Sequence, residues 1–110
     1  MTVRAPLGEF EMTVLMAVLH LDERGVGTAI RDEIQRRTGR VVARGAVYVT
    51  LDRLEGKGLV TSRFDGASPE RGGHPRRFFK VSASGLRELR HSLDMVARMR
   101  AGLELLLRKP

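Results

Sequence analysis

From Leu7 to Leu21 apolar residues return every three or four positions, as Leu7, Phe10, Val14, Leu15, Val18 and Leu19, with Glu9, Glu11 and Thr13 between them. That spacing predicts a helix with one face in a core. The polar stretch Asp22–Gly25 ends in a helix breaker and predicts a turn. Thr28 is placed to cap a second helix, with Ile30 and Ile34 inward, Asp32 and Glu33 near its positive end, and Gly39 as its stop after Thr38. A third helix, from about Arg44 to Lys57, carries Val47, Leu51 and Leu54 on one stripe and ends at Gly58. Leu59–Phe64 and Phe78–Val81 read as the strands of a hairpin whose connection, Asp65–Arg77, is rich in glycine and proline. Ser82 is the expected cap of a last helix whose apolar positions Leu86, Leu89, Leu93, Val96, Leu103 and Leu107 keep the same stepping, interrupted at Arg100.

Three helices, a hairpin and a long helix predict a mainly α fold: a winged helix-turn-helix with a two-stranded β wing and a long C-terminal dimerisation helix. Residues 1–82 are the expected DNA-binding domain and 83–110 the dimerisation helix, together one structural unit. In this arrangement the third helix enters the major groove of DNA and the wing lies along the phosphate backbone. With 110 residues and no tryptophan, the chain has room for one aliphatic core.

The distribution of charge sharpens this expectation. The chain carries a formal net charge of +7, and the residues from Arg36 to Lys80 hold eleven Lys or Arg against four Asp or Glu, an excess of seven that accounts for all of it. A basic block between neutral flanks is what a phosphate-binding surface requires. On a helical wheel the third helix turns Gly45, Val49, Asp52, Arg53 and Gly56 away from its apolar stripe, with Arg44 and Tyr48 at the flank. Small residues at its start let backbone amides approach an anion. Arg53 suits guanine and Val49 a thymine methyl, while the Tyr48 hydroxyl suits a phosphate or, alternatively, Tyr48 is a half-buried aromatic covering the helix. In the hairpin connection Arg71, His74, Arg76 and Arg77 form a second set of expected DNA contacts.

Other chemistries find little support. The chain has no cysteine, which excludes disulfides and thiolate metal sites. His20, His74 and His91 lack metal-ligand spacing, and there is no phosphate-binding glycine loop or nucleophile motif, so neither an enzyme, a metal nor a cofactor is expected. No run is apolar enough to span a membrane and no signal peptide is evident, giving a cytoplasmic expectation. A winged helix serving RNA or a protein partner is the alternative.

The residues Gly45-Ala46-Val47-Tyr48 through Leu51, Arg53-Leu54-Glu55, Lys57-Gly58-Leu59-Val60 and, in the wing, Arg76-Arg77-Phe78-Phe79 with Val81-Ser82 and Gly85, resemble the PadR family of transcriptional regulators over roughly Leu7–Leu107. The resemblance implies a bacterial cytoplasmic homodimer, a repressor on a pseudo-palindromic operator in double-stranded DNA, with Tyr48 near the DNA. One departure stands out: the family's Ser-Pro at the start of this helix is Ala43-Arg44 here, so a side-chain cap is missing. In the short branch of the family a single C-terminal helix forms the dimer; here that is Ser84–Leu107, with Leu86, Leu89, Leu93, Val96, Met99, Leu103 and Leu107 at the interface and Arg100 within the seam. Some members bind aromatic ligands between subunits on a tryptophan platform. Without tryptophan, Phe10, Met95, Met99 and Leu103 are the expected lining for any small-molecule effector.

Overall fold

A computed structural model describes residues 7–66 and 75–108. Helix α1 (Glu9–Leu21) starts at Gly8, whose amide donates to Glu11 Oε1 at 3.0 Å, and it buries Val14, Leu15 and Val18. A turn of 3₁₀ helix, Asp22–Arg24, leads to α2 (Gly27–Thr38). Thr28 does not cap α2. Val26 holds that position in extended conformation, and no side chain caps the helix. The cause lies in the sheet: the Phe79 amide donates to the Gly25 carbonyl at 2.8 Å and Val26 pairs with Phe78, so the chain is a strand stub until the residue before the helix. A side chain at Gly25 would put its Cβ 2.6 Å from the Phe79 carbonyl oxygen, hence glycine there. Gly39, at φ 74°, closes α2 in the left-handed conformation expected of it.

Helix α3 (Arg44–Gly56) buries Val47, Leu51 and Leu54 completely. Its N-cap is Ala43, with no side-chain cap bond, as the departure from the family pattern implied. Strand β1 (Val60–Asp65) pairs antiparallel with β2 (Arg76–Val81), in register from Val60↔Val81 to Asp65↔Arg76. Alternation places Val60, Ser62, Phe64, Arg77, Phe79 and Val81 on one face, and the buried members Val60, Phe79 and Val81 join that face to the core.

Ser82 caps α4 (Ala83–Arg100) as expected: its Oγ accepts from the Gly85 amide at 3.0 Å and donates to the Gly58 carbonyl at 2.7 Å. Two expectations for this helix fail. It does not run to Leu107, because Ala101 leaves helical geometry and Gly102 sits at φ 85°, after which a single turn, α5 (Glu104–Leu107), resumes in a new direction. Leu103 and Leu107 therefore leave the heptad seam. Leu89, assigned to the partner, is 3% exposed and belongs to the core of its own subunit.

Of two buried carboxylates, Glu33 braces its own helix and Glu11 ties α1 to the end of α3. Glu33 accepts from Arg36 at 2.8 and 2.9 Å and from Arg37, one turn on, and these hydrogen bonds hold its carboxyl at about 2. Burial pushes the Glu11 carboxyl up, but the Lys57 ammonium at 2.8 Å, the Gly8 amide and the nearby Arg53 charge outweigh it and hold the group below its ordinary value.

Because the Glu33 pKa is depressed on folding, its contribution to stability is full above the ordinary value of 4.5 and vanishes as pH falls through about 2. Glu33→Gln should thus flatten the loss of stability across that interval in denaturant titrations at stepped pH; an unchanged acid limb would contradict the assignment. Gly85 offers a second test, since a Cβ there would lie 2.1 Å from the Leu59 carbonyl oxygen. Gly85→Ala should lower the thermal midpoint far more than Ser82→Ala, whose lost cap costs about 1 kcal/mol.

Candidate nucleic-acid interface

The buried stripe holds α3 by one side only. On the other, Gly45, Val49, Asp52, Arg53 and Gly56 are all exposed, as the wheel requires, and Val49 keeps 57% of its surface in solvent. The first-turn amides of α3 have no side-chain acceptor, which leaves them available to an anion, with Arg44 beside them.

The basic block does not act as one undivided patch. Arg36 and Arg37 are engaged by Glu33, Arg40 pairs with Glu9 at 2.9 Å and stacks over Phe10, and Lys57 pairs with Glu11. Arg63 lies over the Phe78 ring, 4.0 Å from Glu23. Of the eleven, Arg44, Arg53, Arg76 and Lys80 make no ion pair among the described residues, two on α3 and two on the outward face of β2. Within this block, the cations without an ion pair among the described residues thus lie on α3 and on the outward face of β2.

Tyr48 is half-buried. Its ring lies over the backbone of Gly27, where a Cβ would come within 2.3 Å of the ring carbon bearing the hydroxyl, so the tyrosine packs α3 onto the start of α2. Its position is that of the covering aromatic, with the hydroxyl at the N-terminal end of α2. Arg77 also differs from a free wing cation: its guanidinium contacts Asp52 at 3.2 Å and Glu55 at 3.3 Å, both on α3. The pairing of Asp52 and Glu55 with Arg77 is not visible in the pattern of positions, because the partners lie more than twenty residues apart. Arg71 and His74 lie outside the described residues.

On α4 the sides of Leu86, Leu93, Met95, Val96 and Met99 are between 39 and 75% exposed, and Leu105, Leu106 and Leu107 between 60 and 73%. Met95, Val96, Met99, Arg100 and Leu103 border a shallow apolar depression. Phe10 is not part of it; it borders a separate hollow with Arg40, Val42 and Ala46. Among the described residues no three His, Asp or Glu side chains converge to hold a metal, and no helix is long and apolar enough to cross a membrane.

Comparison with known proteins agrees with this geometry. The model of the transcriptional regulator PadR-like family matches residues 15–91. A PadR family regulator from Eggerthella lenta DSM 2243 superposes with a TM-score of 0.72 at 25% identity, covering 92% of this chain and 83% of that one. A PadR-like regulator from Bacillus cereus strain ATCC 14579 gives 0.73 at 18% identity, covering 92% and 93%. The PcaV regulator of Streptomyces coelicolor, solved in complex with its natural ligand, gives 0.68 at 20% identity, covering 92% and 64%. No curated protein matches the sequence. The matched family and the winged-helix geometry agree, and the chain belongs to the PadR-like family of transcriptional regulators, which bind DNA and are not enzymes.

Proposed function

We propose that the protein is a homodimeric repressor acting in the bacterial cytoplasm on a pseudo-palindromic operator, with residues 1–82 binding DNA and 83–110 joining the subunits. The observation that carries the DNA half is the uncovered face of α3. Gly45 lets the first turn approach the duplex, Arg44 and Arg53 supply charge, and Val49 supplies an apolar contact for a thymine methyl. Arg76, on the outward face of β2, takes phosphate, and Arg71 and His74, outside the described residues, are assigned to the same role.

The dimer half rests on α4. Its distal part touches little of its own subunit, and the chain's radius of gyration is 16.2 Å, against about 13 Å for a compact domain of ~100 residues. Apolar side chains this exposed, on one projecting helix, are supported by a partner of the same shape. Leu86, Leu93, Val96 and Met99 form the seam, with Leu103 and Leu107 contributing from beyond the glycine break. An effector has its seat in the depression around Met95 and Met99, a reading supported by the small-molecule complex of the PcaV neighbour.

Selection of bound duplexes from a random pool tests the whole: a dyad with half-sites about one helical turn apart, or a multiple, is expected. Recovery of RNA or of no consensus would favour the alternative of an RNA- or protein-binding module. Arg53→Ala should lose on the order of 1–3 kcal/mol at the operator and relax its preference, whereas Arg76→Ala should weaken all duplexes alike. Equal losses of Arg53→Ala on operator and random DNA would remove it from base reading. Met99→Glu, a change at a site 75% exposed in the subunit, should leave the fold intact and shift sedimentation to monomer; a persisting dimer would place the interface elsewhere.

A further inference from the structure

Among the described residues Arg77 is the most heavily engaged cation of the wing. Its Nε donates to Ser62 Oγ at 3.2 Å, one terminal nitrogen to Asp52 at 3.2 Å and the other to Glu55 at 3.3 Å. The same guanidinium lies over two rings of its own sheet, 4.8 Å from the centroid of Phe79 and 5.9 Å from that of Phe64. Its side chain keeps only 28% of its surface in solvent. A planar group bonded on three sides and lying over the Phe79 ring has little freedom left to follow a phosphate.

The partners explain why it is held there. Asp52 and Glu55 are three residues apart on α3, so both project from one side of the helix, and Asp52 belongs to the exposed face. Carboxylates on a helix that approaches DNA repel phosphate. Arg77 reaches both from β2 and, in doing so, joins the wing to the C-terminal half of α3. Register supports this: Arg77 sits opposite Phe64 and one step before Phe78, so it falls on the inner face of the sheet, while Arg76 and Lys80 fall on the outer one.

We infer that Arg77 is a positioning residue and not a DNA contact: it latches the wing to α3 and masks the two acids that this helix would otherwise turn toward phosphate. The inference rests on the DNA-binding reading given above for its functional consequence, but the latch itself does not. The angle between helix and wing decides which bases and which flanking phosphates are met together, so the latch sets operator preference through geometry.

The test uses the full-length dimer and three variants, R77Q, D52N/E55Q and D52N/E55Q/R77Q, on the selected operator duplex over a range of salt. R77Q is expected to weaken binding on the order of tenfold, the scale of a lost charge-assisted contact. Neutralising the two acids in the triple variant should recover the affinity lost to unmasked charge and keep the wild-type salt slope, while the preference for operator over random DNA stays reduced because the latch is still broken. If Arg77 instead grips a phosphate, the triple variant stays as weak as R77Q and its slope is shallower by about 0.9, which overturns the assignment. Amide exchange without DNA supplies the independent arm. R77Q and D52N/E55Q should accelerate the β1–β2 amides to a similar degree and leave α1 unchanged; unaltered strand exchange in both variants means no latch. Failure of the wild type to bind any duplex would remove the proposed function, while the exchange data would still decide on the latch.

Discussion

One-sided anchoring of α3 is the constraint on which the rest of the molecule depends. Val47, Leu51 and Leu54 are completely buried, and each such side chain contributes about 1.5–3 kcal/mol relative to exposure. That is ample to fix one face of a thirteen-residue helix, while on the other face Gly45, Val49, Arg53 and Gly56 stay exposed among the described residues. Around it, glycines at 25, 27 and 85 allow close approaches that any side chain would block: strand stub to β2, the Tyr48 ring to α2, and α4 to the Leu59 carbonyl. The fold spends its tightest packing behind α3 and leaves its front open.

Electrostatics follow the same division. Behind and beside the helix, carboxylates of α1 and α2 absorb Arg36, Arg37, Arg40 and Lys57, which brace one element against another or stiffen α2. Within the basic block, Arg44 and Arg53 on α3 and Arg76 and Lys80 on the outward wing have no such partner among the described residues. A net charge thus overstates the surface available to DNA, and the ion pairs determine which part of it can act. Removing any one partner would release a cation without adding it to the interface, since its location is set by the backbone.

Element order, the stripe of α3, its outward face, the Gly39 and Gly58 stops and the Ser82 cap were legible because each is a local signal within one turn or one strand. The start of α2 was not: Thr28 satisfies the capping pattern, yet the distant amide of Phe79 fixes Gly25 and Val26 as a strand stub. The long last helix was over-extended because leucine spacing outweighed Ala101-Gly102, where a left-handed glycine turns the chain. Leu89 shares its periodicity with the seam residues, and only the position of α4 against the domain separates them. Arg77 reads like its neighbour Arg76 in a basic stretch, but alternation along β2 sends the two side chains to opposite faces, one to α3 and one to solvent.

The most direct measurement of the central claim is amide exchange across the whole chain with and without its selected duplex. The first turn of α3 has no side-chain cap, and its Arg44, Gly45 and Ala46 are exposed, so it should show the largest slowing on binding, with the buried helices unaffected. Protection confined to α4, or a first turn of α3 that exchanges equally fast in both states, would contradict insertion of this helix into DNA.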